Sequence, residues 1–163
     1  MDAVRQAALM LTQLGHTMTV ASRDLKIMHW NYRDTNFVAV HPYIDEVRAD
    51  LDDEIDGVYE EMRKGGFLPE AKLSQALAES KVNEIPSDRL YNCADTMKIM
   101  HQIITEIRVE ADALSTFADE NKLWTIQDLA NGILDKCSKV NYFIVNSSLE
   151  TAAPVPVRQA PEV

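Results

Sequence analysis

The sequence predicts an all-α chain folded as a four-helix bundle. Apolar residues recur at three- and four-residue intervals along four stretches long enough for extended helices. Gly and Pro, the usual helix breakers, number only 5 and 6 among 163 residues. The one long connection falls between the second and third stretches, about residues 65–86, and carries a short helical segment of its own.

The first helix is expected from Asp2 to about Tyr32. Its apolar stripe is Val4, Ala8, Leu11, Leu14, Met18, Ala21, Leu25 and Met28, and Asp2 is a fitting N-cap. The second runs from about Asn36 or His41 to Lys64 on Ile44, Val47, Leu51, Ile55, Val58 and Met62. Gly65-Gly66 stops it, and Pro42 sets the start of its regular part, because proline is tolerated in a first turn. Pro69-Glu70 introduces a short helix through Leu73 and Leu77. Ser87, after Pro86, reads as the N-cap of the third long helix. That helix carries Leu90, Ala94, Met97, Met100 or His101, Ile104, Ile107, Ala111, Leu114 and Phe117. The fourth spans about Thr125 to Leu149 on Leu129, Ile133, Leu134, Val140, Phe143 and Ile144. Residues 1–150 thus form the bundle, and 151–163, with three of the six prolines, read as an extended or disordered tail.

Composition bounds the function. At 46% apolar residues the chain buries an ordinary single-domain core. A formal charge of −10 attracts cations and disfavours general binding to nucleic acid or anionic membrane. No basic segment followed by an apolar run marks a secretory signal, and no stretch approaches a membrane span. Cys93 and Cys137 stand outside any CxxC arrangement and are expected as small buried hydrophobes in a reducing compartment. A cytoplasmic protein is expected.

His29, His41, Asp45, Asp56 and Glu60 carry the chemistry. Imidazole plus carboxylate suits non-haem iron, manganese or zinc. Asp45 and Asp56 share a helix face, close to three turns apart, yet they stand roughly 16 Å apart along the axis. No single metal centre spans that distance. Antiparallel pairing of the second helix with its own copy resolves the conflict. His41 and Asp45 of one chain then face Asp56 and Glu60 of the other, with the two-fold axis near Asp50 and Leu51. His29 completes each site by folding back over His41.

The long second-to-third connection allows the crossover of a ferritin-like bundle. The usual ferritin-like centre needs Glu-x-x-His, but the residues three before the four histidines are Gln13, Lys26, Val38 and Lys98. A site inside one chain is therefore not expected. His16 and His101 lack partners at ligand spacing and read as core or surface helix histidines.

The segment from His29 to Gly66 resembles the Dps (DNA protection during starvation) mini-ferritins. The likeness rests on His29-Trp30, His41 twelve residues after His29, Asp45 four further on, and Asp56 with Glu60 before a double glycine. The helix pattern extends it to about residue 149. The resemblance implies ferroxidase centres between subunits, with His29, His41 and Asp45 from one chain and Asp56 and Glu60 from its partner. It implies a dodecameric cage built from two-fold dimers that oxidises ferrous iron with hydrogen peroxide or oxygen, stores ferric mineral and limits oxidative damage. Zinc or manganese are possible substitutes for iron. Trp30 is implied to pack by the site and take up an oxidising equivalent; it also reads as a core aromatic at the helix end, and the two readings are compatible. Acidic residues near the start of the fourth helix (Asp119, Glu120, Asp128) are implied at three-fold pores, where focused negative charge draws cations.

Members that condense DNA often do so through lysine-rich tails. Here the first ten residues hold only Arg5 and the last segment only Arg158, so strong DNA binding is not expected. A nucleoid-binding protector and a cage or scaffold with another metal or none are the alternative readings.

Overall fold

A computed structural model describes residues 2–147; the expected tail lies outside the described residues. Among the described residues there are five helices: α1 (Ala3–Asn31), α2 (Phe37–Lys64), α3 (Leu73–Glu79), α4 (Cys93–Glu120) and α5 (Trp124–Ser147). The expected all-α, ferritin-like four-helix bundle with a short extra helix is the architecture observed.

The four long helices are arranged so that packed neighbours run antiparallel. Lys26 of α1 meets Asp45 of α2, Lys136 of α5 meets Glu54 of α2, and Tyr91, just before α4, pairs with the end of α1. Since α2 and α4 both run opposite to α1, they are parallel. The connection between them must therefore travel the length of the bundle. The inward stripes meet in one core that includes Leu14, Met18, Leu25, Ile44, Val58, Met100, Leu114 and Ile133. At Gly15 the backbone of α1 comes so near α2 that an added Cβ would lie 2.8 Å from Cζ of Tyr59.

The helix ends differ from the sequence expectation in instructive ways. Asp2 does cap α1, accepting from the Val4 N–H at 3.4 Å. Helix α2 begins at Phe37, so Pro42 lies inside it rather than in the first turn. Pro42 has no N–H for the Val38 carbonyl, and that cost is small because Val38 is 88% exposed and water can serve the carbonyl. Helix α4 starts at Cys93, not near Ser87. Tyr91 is fully buried, and its backbone pairs with Asn31 and Arg33, which holds the chain extended there. Asn92 Oδ1 then accepts from the Asp95 N–H at 2.8 Å, and Asp34 Oδ2 from the Cys93 N–H at 2.9 Å. Two good caps beat one.

In α3 the sole buried residue is Ala76, whereas Leu73 and Leu77 are 70% and 50% exposed. Polar ties instead hold α3 on α1. Gln13 Nε2 donates to the Glu79 carbonyl at 2.7 Å, and His16 Nδ1 meets Glu79 Oε2 at 3.0 Å. His16 is wholly buried, and its Nε2 faces the Glu70 carbonyl. Both partners are acceptors, so both bonds form fully only when the ring carries two hydrogens. His101 is exposed and its Nδ1 lies 3.2 Å from Asn141 Oδ1.

Cys137 is buried, and burial pushes its thiol pKa up to about 12; Cys93 is half-buried. Among the described residues no helix is long and apolar enough to cross a membrane.

Candidate functional site

The turn between α1 and α2 builds the histidine pair. Tyr32 forms an isolated bridge with Tyr91, and Arg33 N–H donates to the Tyr91 carbonyl at 2.9 Å. Asp34 caps α4, and Asn36 accepts from the Tyr32 hydroxyl. With its ends fixed, this short turn brings the last turn of α1 against the first turns of α2. His29 and His41 then stack, ring centroids 3.8 Å apart and planes at 26°. Phe37 stacks on the other face of His41 at 4.4 Å. His41 is held between two rings.

The hydrogen bond at His29 decides its tautomer. Nδ1 lies 3.0 Å from the His41 carbonyl, which can only accept, so Nδ1 carries the hydrogen. In the neutral ring the lone pair is then on Nε2. A backbone carbonyl behind the far nitrogen is the usual support of a metal-ligating imidazole. His41 Nδ1 is buried and has no hydrogen-bond partner. The donor chemistry of this pair fits a divalent transition metal.

Asp45 lies one turn beyond His41 on α2. Its Oδ1 accepts from Lys26 Nζ at 2.8 Å and from Arg48 Nε at 2.9 Å. Those two bonds, with His29 nearby, hold its carboxyl well below the usual carboxylate range, so it stays an anion. Arg48 also pairs with Asp52, which accepts from Ser22. Phe37, Lys26 and Arg48 were not singled out by the sequence reading. Arg48 was legible at i+3 from Asp45 and i−4 from Asp52. Lys26 was not, because it comes from the other helix.

Asp56 and Glu60 are exposed on the last turns of α2. The structure brings His29, His41 and Asp45 to one end of the α1–α2 pair and leaves Asp56 and Glu60 toward the other. Among the described residues no three His, Cys, Asp or Glu side chains gather closely enough within one chain to hold a metal ion. Trp30 is 57% exposed, which corrects its reading as a core aromatic. Its ring faces the Arg23 guanidinium at 5.1 Å and the Lys26 ammonium at 5.9 Å, so Lys26 touches both Trp30 and Asp45. Asp119, Glu120 and Asp128 are exposed at and after the end of α4, with Asp119 accepting from Gln127 Nε2 at 3.1 Å.

Residues 8–145 match the family model of the ferritin-like domain. The fold is similar to that of a Dps protein from Bacillus brevis, with a TM-score of 0.83 and 20% identity over 90% of this chain and 98% of that one. It is similar to Dps from Microbacterium arborescens in its high iron form, with a TM-score of 0.81 and 28% identity over 89% and 93% of the two chains. A Dps protein of Vibrio cholerae O1, described as one of the ferritin-like diiron-carboxylate proteins, gives a TM-score of 0.84 at 17% identity over 88% and 89%. An uncharacterized protein of Haemophilus influenzae is 31% identical over 86 residues, 52% of this chain and 54% of its own length, so the match spans about half of that curated relative. By the family match over nearly its whole described length, the chain belongs to the ferritin-like domain family, and its fold is that of the Dps proteins.

Proposed function

We propose that this protein is a Dps-like ferroxidase and iron store, cytoplasmic, assembled as a dodecameric cage of two-fold dimers. Ferrous iron is its substrate. In each dimer two centres form, each from His29, His41 and Asp45 of one chain with Asp56 and Glu60 of the other. The observation that carries this reading is the His29–His41 stack with the His29 hydrogen fixed on Nδ1, which leaves Nε2 ready as a ligand. Half a donor set, oriented but too small to hold a metal alone, is what a shared centre requires.

The chain's own groups have distinct tasks in this reading. The carboxylates of Asp56 and Glu60 bind the hard cation, while the imidazoles supply borderline nitrogen donors. Asp45 is kept ionised by Lys26 and Arg48, so it accepts a cation without first losing a proton. Two ferrous ions give one electron each to a peroxide, whose O–O bond breaks; with two protons it leaves as two waters. Ferric product collects as mineral in the cage. Trp30, exposed next to His29, stands where it takes up a stray oxidising equivalent. Asp119, Glu120 and Asp128 supply negative charge for cation entry at three-fold pores.

The test is anaerobic ferrous addition followed by peroxide or oxygen, comparing the wild type with His29→Ala/Asp56→Ala. The double variant should oxidise iron at least tenfold more slowly and load less mineral, while zinc, which has no redox chemistry, should inhibit the wild type. Equal rates and equal loading would sink the proposal. A gel-shift assay at low magnesium should show no retardation of duplex DNA, since the tails lack clustered cations.

A further inference from the structure

On the opposite side of α1 from α2, between α1, α4 and the crossover, lies a cavity of about 270 Å³. It is formed where residues 81–85 cross the two helices. Two polar pegs hold the crossover there: Thr17 Oγ1 accepts from the Lys81 N–H at 3.2 Å, and Asp24 Oδ1 from the Ile85 N–H at 3.2 Å. Asp24 is only 1% exposed and lines the cavity. Its second oxygen, Oδ2, is buried and has no hydrogen-bond partner.

A buried carboxylate with one oxygen unserved is costly unless a positive charge comes to it. Among the described residues no cationic side chain pairs with Asp24. The charge that reaches Asp24 is that of Glu84, of the same sign, and burial with Glu84 outweighs the Ile85 N–H to lift its pKa to about 6. Lys81 at the rim acts instead on Glu110 of α4, whose carboxyl is pushed up by burial and only partly drawn back by Thr17, Gln13 and Lys81. Glu106 and Gln102 line the α4 side, and Ile85, Ile99 and Ile103 give the cavity apolar walls.

The geometry points to a binding site for a short alkyl diammonium ion, with one ammonium head on Asp24 Oδ2 and its methylene body against Ile85, Ile99 and Ile103. An ammonium group brings three donors and needs few anionic partners. A bare metal ion needs several convergent ligands, and among the described residues no such group of three forms. A strongly hydrated cation gains nothing from isoleucine walls, whereas methylene groups bury area on them. Glu106 and Gln102 offer acceptors for the second head.

The experiment is calorimetric titration of the assembled full-length protein with 1,4-diaminobutane and, separately, with magnesium chloride, at low ionic strength. Saturable binding of the diamine, about one per chain, is expected, with affinity reduced at least tenfold in Asp24→Asn. That variant keeps an oxygen for the Ile85 N–H, and Asp112→Asn, an exposed neutralisation elsewhere, should bind as the wild type does. Ile99→Trp, which fills the cavity and leaves Asp24 in place, should also abolish binding without lowering the melting temperature. Retained affinity in Asp24→Asn, an equal loss in Asp112→Asn, or displacement of the diamine by equimolar magnesium would each overturn the proposal.

Discussion

Asp24 shows how a single carboxylate sets a stability profile. Its folded pKa of about 6 lies above the ordinary 3.8, chiefly because burial penalises the anion. Above pH 6 the anion is present in both states and the folded one bears the full penalty. As pH falls from about 6 to about 4 the folded chain gains a proton that the unfolded chain lacks, so this group's contribution to stability rises. A gap of about two pK units corresponds to a ceiling of about 3 kcal/mol. Asp24→Asn should therefore be more stable than the wild type by about 1–3 kcal/mol at pH 7.5, and the advantage should vanish near pH 4. Denaturant melts at the two pH values check it; a less stable variant at pH 7.5 would show that the charge is compensated. Asp45 is the opposite case, a partly exposed carboxylate held ionised by Lys26 and Arg48. Its place among the candidate ligands was legible from spacing, but its two cations were not both legible, since one comes from another helix.

At the scale of elements, helix existence follows from periodicity and helix ends follow from tertiary partners. The stripes on α1, α2, α4 and α5 were readable because each long helix buries one face. Ser87 failed as an N-cap because Tyr91 is claimed by the end of α1, which keeps the backbone extended until Asn92. Pro42 sits inside α2 because the carbonyl it orphans faces water. At Gly15 the backbone of α1 lies directly against the Tyr59 ring of α2. Gly15→Ala adds a methyl 2.8 Å from Cζ of Tyr59, whose ring must shift, and should cost about 1–2 kcal/mol. In a Tyr59→Ala background the same change should stabilise by up to about 1 kcal/mol, the ordinary gain of alanine over glycine in a helix. Thermal melts of the four chains form the cycle; an unchanged effect in both backgrounds would place the contact elsewhere.

For the whole molecule, the decisive feature is that one chain carries its candidate ligands at two ends of one helix. His29, His41 and Asp45 gather at the start of α2; Asp56 stands roughly 16 Å and Glu60 roughly 22 Å beyond Asp45 along the axis. Mixing differently tagged chains tests the shared centre. Oligomers of His41→Ala or of Asp56→Ala alone should be nearly inactive, having lost both centres of each dimer. A dimer with one chain of each kind concentrates both lesions in one centre and leaves the other whole. Doubly tagged mixed oligomers should therefore recover up to about half of wild-type ferroxidase activity. No recovery over the parent variants would rule out centres divided in this way.

The sequence by itself determined the helix count, the inward stripes, the five candidate ligands and the impossibility of closing them within one straight helix. Those are matters of period and rise, which depend on local geometry alone. Only the tertiary structure decided that the His29 and His41 rings stack with Phe37 on His41, that Lys26 serves Asp45, that Trp30 faces outward, and that Asp24 lies buried without a cation partner. Each of these depends on which helices meet and at what register. That is fixed by packing of side chains distant in sequence, and no spacing along the chain encodes it.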